Sequence, residues 1–451
     1  MPREEQDMTT QQSQTKAIIG GRLIDGNGNA VIHNPVVIID GKRIRAAGPA
    51  GQVPVPAGVE IIDAGNCTLM PGMIDLHVHV AAFNCLTFEN YRVAQFEVSP
   101  QLQMFFCLFH AQLCFEMGFT TLRDMGRGTP YGGYTAELCA VRDAINAGIV
   151  PGPRMITSAR TMITGSHFDL LTLPRAAKRE PGFTADGPWD LRRMVREHIR
   201  IGCDVIKTCV SGGVAAKSDH NVRNMTQEEL DAVVDEAHAF GKPVAVHCFT
   251  PDAQRMCVKA GADTIEHMVY TDDDAIARIK DSGRYVVPTL LHRSDHSIEM
   301  RRSHGASESL VKKMKEIQPS CFETFRRMHA AGIKIAMGTD TTVDPEMGNN
   351  SKELEIYVDL GMSSMDAIKT TTRNAAEALG LLGELGTIEA GKLADIVVVD
   401  GDPLQDIRLL QQKDRIKLVM KEGDVYVDKI SDNKKYIIHP NPAEWKIIDS
   451  L

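Results

Sequence analysis

The chain has 451 residues, 43% hydrophobic and 24% charged, which is enough for a large domain and a smaller one. Its formal net charge of −9 argues against a nucleic acid or an anionic membrane as partner. The ten cysteines are scattered without a C-x-x-C pair, so we expect a reduced, cytoplasmic protein and not a disulfide-rich secreted one. We expect neither a secretion signal nor a membrane span, because no apolar stretch approaches roughly 20 residues.

Both ends of the chain are predicted to form β-hairpins. Apolar and β-branched runs alternate there with turns such as Asp25-Gly26 and Asp40-Gly41, a combination typical of hairpins. We therefore expect the two ends to pair into one small β domain, with the middle of the chain inserted between them. The strand candidates are residues 16–19 and 36–39 near the N-terminus and residues 394–399, 418–420 and 425–427 near the C-terminus.

The middle of the chain alternates short apolar runs with longer amphipathic segments. One helix candidate covers residues 226–240, where Thr226 followed by Glu229 matches a capping box. Such strand–helix alternation favours a parallel α/β barrel over an open sheet. No Gly-x-Gly-x-x-Gly follows a strand candidate, so no dinucleotide site is expected.

Histidines and an aspartate close several apolar runs of this middle segment. His77 and His79 are two residues apart, so on a strand they point to the same side and can bind one divalent metal. His247, His267 and Asp340 each end a further run. The carboxyl ends of barrel strands meet on one face, so these residues can form one site. Each histidine alone is also compatible with a partly buried structural role, and Asp340 with a helix N-cap.

Lys207 follows the apolar pair Val205-Ile206, which predicts that its side chain is buried. Burial disfavours the ammonium form, lowers its pKa and makes the neutral amine accessible. A neutral amine can take up CO2 to form a carbamate, which is an anionic oxygen ligand. The alternative is a lysine whose ammonium reaches water or an ion-pair partner.

Together these residues resemble the metal-binding pattern of the amidohydrolase superfamily. Residues 119–124 and 386–397 match further stretches of that superfamily, so the resemblance covers nearly the whole chain. It implies a (β/α)8 TIM-like barrel over residues 73–385. It also implies a small β-sandwich domain built from both termini, residues 1–72 and 386–451.

Three further stretches indicate one branch of this superfamily. Residues 152–155, 211–214 and 349–354 are similar to those of Xaa-Pro dipeptidases, ochratoxin-type amidases, molinate hydrolase and phenylurea hydrolases. The resemblance implies a metal-dependent hydrolase of carbon–nitrogen bonds other than peptide bonds, with a phenylurea-hydrolase-like activity favoured. It also implies a small-molecule substrate, a role in xenobiotic degradation and a homo-oligomer.

The resemblance further implies a ligand set for one or two divalent metal ions, with zinc expected. One ion is held by His77, His79, Asp340 and a carbamate on Lys207. A second ion is held by His247, His267 and the same carbamate. The metal activates a water, and Asp340 takes its proton and passes it to the leaving nitrogen.

Five residues are predicted to contact the substrate: His167, Phe168, Met225, His292 and Phe83. His167 lies where the related dipeptidases tend to read Gly-Gly-His-Gly-Asp, and Phe168 adds apolar bulk at that point. Phe83 is equally compatible with core packing, and His292 with a surface loop.

Met225 stands where the dipeptidases usually have a tyrosine that helps to hold the carboxylate of the substrate. Loss of that hydroxyl favours a neutral apolar substrate, of the phenylurea or thiocarbamate type. The alternative is an Xaa-Pro dipeptidase or an N-acyl amino-acid hydrolase. A non-catalytic barrel scaffold would be a different class of protein, but such relatives typically lose ligands, and this chain keeps all six.

Overall fold

Strands dominate both ends of the chain, and strands alternate with helices in the middle. The computed structural model describes residues 15–81, 99–126, 134–161, 163–166, 184–214, 219–303, 305–341 and 346–438. The strands are β1 (Lys16–Ile19), β2 (Arg22–Leu23), β3 (Ile32–His33), β4 (Pro35–Asp40), β5 (Arg43–Pro49), β6 (Glu60–Asp63), β7 (Thr68–Pro71), β8 (Met73–Val78), β9 (Phe119–Asp124), β10 (Arg154–Arg160), β11 (Val205–Cys209), β12 (Val244–Cys248), β13 (Thr264–His267), β14 (Tyr285–Val287), β15 (Ile396–Val399), β16 (Ile416–Lys421) and β17 (Asp424–Asp428). The helices are α1 (Pro100–Glu116), α2 (Tyr134–Asn146), α3 (Pro188–Ile201), α4 (Gln227–Ala239), α5 (Pro251–Ala260), α6 (Asp273–Ser282), α7 (Asp295–Ser303), α8 (Glu308–Ala331), α9 (Lys352–Asp359), α10 (Ser364–Thr371) and α11 (Arg373–Ala378). Short 3-10 turns cover Leu291–Arg293, Ile407–Gln411 and Lys413–Arg415.

Strands from both ends of the chain form two packed sheets. One sheet has the order β5-β4-β1-β6 and the other the order β17-β16-β15-β7-β2-β3. The C-terminal β15 pairs antiparallel with the N-terminal β7, which joins the two ends of the chain in one sheet. Ile18 and Val37 of the first sheet share a buried apolar cluster with Leu69 and Val398 of the second. The predicted β-sandwich built from both termini is therefore confirmed.

The middle of the chain forms a barrel of parallel strands covered by helices. Seven strands follow one another in the order β8-β9-β10-β11-β12-β13-β14. Strands such as β8, β9, β11 and β12 are buried along their whole length, because the helices cover the outside. Helix α4 begins with the predicted capping box of Thr226 and Glu229. The predicted TIM-like barrel is confirmed, whereas the domain boundaries at residues 72/73 and 385/386 stay predictions.

In the part of the chain that is described, no helix combines the length and the apolar character needed to cross a membrane.

Residues 335–341 close the barrel between its first and last strands without forming a regular ladder. The amide of Ala336 donates to the carbonyl oxygen of Val286 in β14 at 3.0 Å. On the other side, the amide of Leu76 in β8 donates to the carbonyl oxygen of Met337 at 3.0 Å. This closing segment therefore takes the place of an eighth strand.

Gly338 lies where the closing segment passes closest to β8 and β14. A Cβ atom at this position would lie 2.4 Å from the side chain of Val287 and 2.8 Å from the Cβ of His77. Glycine therefore permits the close approach that brings Asp340, two residues later, beside the predicted metal ligands of β8.

Candidate metal centre

All six predicted metal ligands lie at the carboxyl end of the barrel, where the strands meet. Each is buried, from 1% exposed for His77 to 9% exposed for Asp340. They are His77 on β8, His79 directly after it, Lys207 on β11, His247 on β12, His267 on β13 and Asp340 in the closing segment.

Five of these side chains form one cluster. A nitrogen of His77, a nitrogen of His267 and an oxygen of Asp340 lie within 4.8 Å of one another, a spacing that could hold a metal ion. Nε2 of His79 is 3.1 Å from Oδ1 of Asp340. The ring of His247 is centred 4.5 Å from that of His267. The structure thus brings these residues together, and their role as ligands stays a prediction.

The ring of His77 is oriented by a buried ion pair that the sequence reasoning missed. Nδ1 of His77 lies 2.6 Å from Oε2 of Glu266, and Nη2 of Arg123 lies 2.9 Å from Oε1 of the same carboxylate. Because the carboxylate accepts the Nδ1 proton, Nε2 keeps its lone pair and faces Asp340 at 3.7 Å. The only sequence signal for this pair was the presence of charged residues inside otherwise apolar strands.

His79 is oriented by the loop that follows β9. Its Nδ1 donates to the carbonyl oxygen of Gly126 at 2.8 Å. The carboxylate of Asp124 holds this loop, because it accepts hydrogen bonds at 2.7 Å from the amides of both Gly126 and Val80. The lone pair of His79 Nε2 is thereby directed toward Asp340.

Asp75 connects β8 to the closing segment beneath the cluster. Its carboxylate accepts hydrogen bonds from the His77 amide at 2.9 Å, the Thr339 hydroxyl at 2.8 Å and the Asn350 side-chain amide at 2.7 Å. These contacts fix the separation between His77 and Asp340. Asn350 belongs to a stretch that carried the family resemblance, but nothing in the sequence assigned it this contact.

Burial and mutual contacts set the ionisation of the cluster. Burial lowers the pKa of His77 to about 4 and that of His79 to about 3, with further lowering from Lys207 and Arg160 respectively. Burial opposes ionisation of Asp340, but its close contacts with His79, His267 and His77 hold its pKa well below the usual range. At neutral pH the imidazoles are therefore neutral and the carboxylate is ionised.

Lys207 is buried beside this cluster. Its side chain is 1% exposed, and among the described residues its Nζ has no hydrogen-bond partner. Burial lowers its pKa from 10.5 to about 8, against the opposing effect of Glu266. The neutral amine is therefore accessible near neutral pH, as the sequence predicts.

Left-handed backbone conformations occur at several strand ends of the cluster. His267, Thr289 and Asp340 have φ values of 76°, 54° and 58°. Side chains other than glycine rarely adopt this region, and such strain persists where the surrounding structure holds it for a function. The hydroxyl of Thr289 lies 2.8 Å from Nδ1 of His267, which fixes that ring.

Two arginines missed by the sequence reasoning lie beside the cluster. Nη2 of Arg160, at the end of β10, lies 3.1 Å from Nε2 of His79. Nη2 of Arg293, in the turn after β14, lies 4.0 Å from Oδ2 of Asp340. Arg293 follows His292 in the sequence, where only the histidine was considered.

The predicted substrate contacts are only partly described. Met225 is 1% exposed in an apolar cluster, and its sulfur accepts a hydrogen bond from Thr208 at 3.2 Å. His292 is partly buried, and its Nδ1 lies 3.1 Å from Nη2 of Arg301. Their contact with a substrate stays a prediction. The remaining three, His167, Phe168 and Phe83, lie outside the described residues.

Several known proteins are similar to this chain in sequence and in architecture. The model of the amidohydrolase family matches residues 68–426. The ochratoxinase of Aspergillus niger is 29% identical, over 93% of this chain and 88% of that protein. A solved Xaa-Pro dipeptidase with bound methionine is 32% identical with a TM-score of 0.82, over 92% of this chain and 100% of that one. Solved phenylurea hydrolase B is 26% identical with a TM-score of 0.74, over 95% of this chain and 100% of that one.

These relatives are of the kinds that the sequence resemblance indicated, so that prediction is confirmed. They support hydrolase activity on amide-type bonds. Because the family match spans most of its length, the chain belongs to the amidohydrolase family.

Proposed function

We propose that this chain is a metal-dependent amidohydrolase that cleaves an amide-like C–N bond of a small molecule. The observation that carries the proposal is the surroundings of Asp340 Oδ1. Nε2 of His79 lies 3.1 Å and Nε2 of His77 lies 3.7 Å from this oxygen, while each Nδ1 faces a hydrogen-bond acceptor. Two neutral imidazoles thus direct lone pairs at a carboxylate oxygen, which is unfavourable unless a cation lies between them.

The residues present fit a divalent metal. Metal binding needs neutral imidazoles and ionised carboxylates, and the lowered pKa values of His77, His79 and Asp340 provide these forms. These three residues would hold one ion, with zinc as the expected metal, and His247 and His267 would hold a second. When bound, such an ion activates a water for attack and polarises the carbonyl of the substrate.

We propose that Lys207 completes the site as a carbamate. Its Nζ has no hydrogen-bond partner among the described residues, and its pKa of about 8 makes the neutral amine accessible. The amine lone pair attacks the carbon of CO2, an N–C bond forms and one proton is released. The product is an anionic oxygen ligand that suits a site with four imidazoles and one aspartate.

Asp340 is the proposed catalytic residue for proton transfer. Its carboxylate is ionised and lies in the centre of the cluster, so it can accept a proton from the attacking water. It then delivers that proton to the leaving nitrogen. Glu266 has a positioning role, because it holds the Nδ1 proton of His77 and keeps Nε2 available.

Two substrate classes are candidates, each with its own support. A neutral apolar substrate, of the phenylurea or thiocarbamate type, is favoured by Met225, which has no hydroxyl for a carboxylate, and by the similarity to phenylurea hydrolase B. A substrate with a free carboxylate, such as an N-acyl amino acid or an Xaa-Pro dipeptide, is favoured by the buried guanidinium of Arg293 near Asp340. The dipeptidase that binds methionine, an amino acid with a carboxylate, supports the second class.

A substrate panel with defined metal content tests the proposed reaction. The protein is stripped with a chelator, reloaded with zinc and assayed with a phenylurea, a thiocarbamate, an Xaa-Pro dipeptide and an N-acyl amino acid. We expect turnover of at least one class by the loaded protein and none by the stripped protein. His77→Asn should lose both zinc and turnover, whereas His238→Asn, on α4 and 40% exposed, should keep both. Full zinc content without turnover of any class would contradict the proposal.

A further inference from the structure

Arg293 forms one wall of the candidate metal centre. It ends the 3-10 turn that follows β14, and its side chain is only 4% exposed. Its guanidinium carbon lies 5.6 Å from the centre of the Phe249 ring, which is stacked on His247 at 4.6 Å. Its Nη2 lies 4.0 Å from Oδ2 of Asp340. The cation therefore lies against an aromatic ring of the site and beside the proposed reacting centre.

Acceptors for this guanidinium are scarce within the described part of the chain. Arginine carries five N–H donors in one plane. Here its single side-chain hydrogen bond to a described residue runs from Nη1 to the carbonyl oxygen of His292, at 3.5 Å. The 4.0 Å separation from Asp340 is well beyond a charge-assisted hydrogen bond. A buried cation without close acceptors is unfavourable, so the donors of Arg293 are available to an anion that enters the site.

The turn that carries Arg293 is held firmly in place. Both oxygens of the buried Glu353 carboxylate accept backbone hydrogen bonds, from Leu290 at 2.7 Å and from Leu291 at 2.5 Å. The side-chain amide of Gln318 in α8 donates to the carbonyl oxygen of Arg293 at 2.9 Å. Little conformational freedom is left to lose when a ligand binds, which favours a role in recognition.

We propose that Arg293 binds a carboxylate of the substrate beside the scissile C–N bond, so that the substrate is an N-acyl amino acid or a dipeptide and not a neutral urea. The inference rests on the proposed function and names its substrate class. The planar guanidinium matches the two oxygens of a carboxylate. In an N-acyl amino acid a single carbon separates the carboxylate from the amide nitrogen. That short separation agrees with the closeness of Arg293 to Asp340.

Two probes that differ only in the carboxylate test this assignment. N-acetyl-L-phenylalanine and N-acetylphenethylamine are assayed with the zinc-loaded enzyme. We expect kcat/KM to be about 100-fold higher for the acid, and Arg293→Met to bring the ratio near one. Arg293→Lys should give an intermediate ratio, because it keeps the charge and loses the planar fork. Arg302→Met, an exposed arginine on α7, should leave the ratio unchanged.

Binding to the metal-free protein gives a second measurement that does not depend on turnover. Calorimetry should show that Arg293→Met weakens the binding of N-acetyl-L-phenylalanine about 30-fold and barely changes the affinity for N-acetylphenethylamine. Thermal unfolding of each variant checks that it folds. Equal kcat/KM for both probes in the wild type, or an unchanged affinity in Arg293→Met, would overturn the assignment while the hydrolase proposal stands. Arginine-dependent binding of the acid without hydrolysis of any panel compound would support the assignment and contradict the proposed function.

Discussion

Replacing Lys207 with methionine separates the energetic cost of this buried lysine from its proposed use. The side chain is 1% exposed and its Nζ has no hydrogen-bond partner among the described residues. Methionine has a similar length and carries no charge that must leave water. We therefore expect Lys207→Met to stabilise the metal-free protein and to inactivate the zinc-loaded enzyme.

The size of the stabilisation follows from the pKa of Lys207. Burial lowers this pKa from 10.5 in the unfolded chain to about 8 in the folded protein, which corresponds to about 3 kcal/mol. Below pH 8 the amine is protonated in both states, so the folded protein bears the full penalty. Between pH 8 and 10.5 the unfolded chain binds the proton and the folded protein does not, so the stability of the wild type rises with pH. The advantage of Lys207→Met should be about 3 kcal/mol at pH 7 and only about 1 kcal/mol at pH 9.5.

Urea unfolding of the metal-free proteins measures this difference. The buffers are depleted of CO2, because carbamate formation would consume the neutral amine. Lys280→Met, an exposed lysine on α6, serves as the control and should change the free energy of unfolding by less than about 0.5 kcal/mol at either pH. The same preparations, loaded with zinc in the presence of bicarbonate, give the turnover.

Two results would refute the reasoning on Lys207. If Lys207→Met is less stable than the wild type at pH 7, the ammonium has a partner in the folded protein and its burial is not costly. If the zinc-loaded variant keeps turnover within about 3-fold of the wild type, Lys207 does not complete the metal site.

Further substitutions test the proton acceptor and the orientation of His77. Asp340→Asn should lower kcat by at least about 1,000-fold, because an amide cannot accept the proton of the water, and turnover near that of the wild type would exclude this role. Glu266→Gln should weaken zinc binding by about 10- to 100-fold, as measured by competition with a chelator. The substitution removes the carboxylate, which in the wild type orients His77 and pairs with the charge of Arg123. Glu228→Gln, exposed on α4, is its control, and equal zinc affinities of the two variants would contradict the orienting role.

The overall fold was predictable because its signals are local. Asp-Gly turns between β-prone runs indicated the hairpins of the sandwich, and alternating apolar runs indicated the barrel. The closing segment shows the limit of this reasoning. Gly338 approaches β8 and β14 closely, and Asp340 adopts a φ of 58°, so residues 335–341 depart from a regular strand. Both features depend on neighbours distant in sequence.

The clustering of the candidate metal ligands was predictable for a related reason. A histidine or an aspartate at the end of an apolar run is visible in sequence, and a parallel barrel brings such ends to one face. The partners of these ligands were not predictable, because Glu266 lies 189 residues from His77 and Asn350 lies 275 residues from Asp75. Sequence showed a charge inside a strand, but only the packing showed which group neutralises it.

The preference for a neutral substrate shows why one or two positions are weak evidence about a site. It rested chiefly on Met225, where a tyrosine would have offered a hydroxyl, with added support from the apolar Phe168. Met225 is buried with its sulfur hydrogen-bonded to Thr208. The walls of a barrel site come from several strand ends, so a donor absent after one strand can be supplied after another. Arg293 after β14 is such a donor, 4.0 Å from Asp340. The substrate charge that the site favours therefore depends on all the groups around the centre, and one of these groups is a guanidinium.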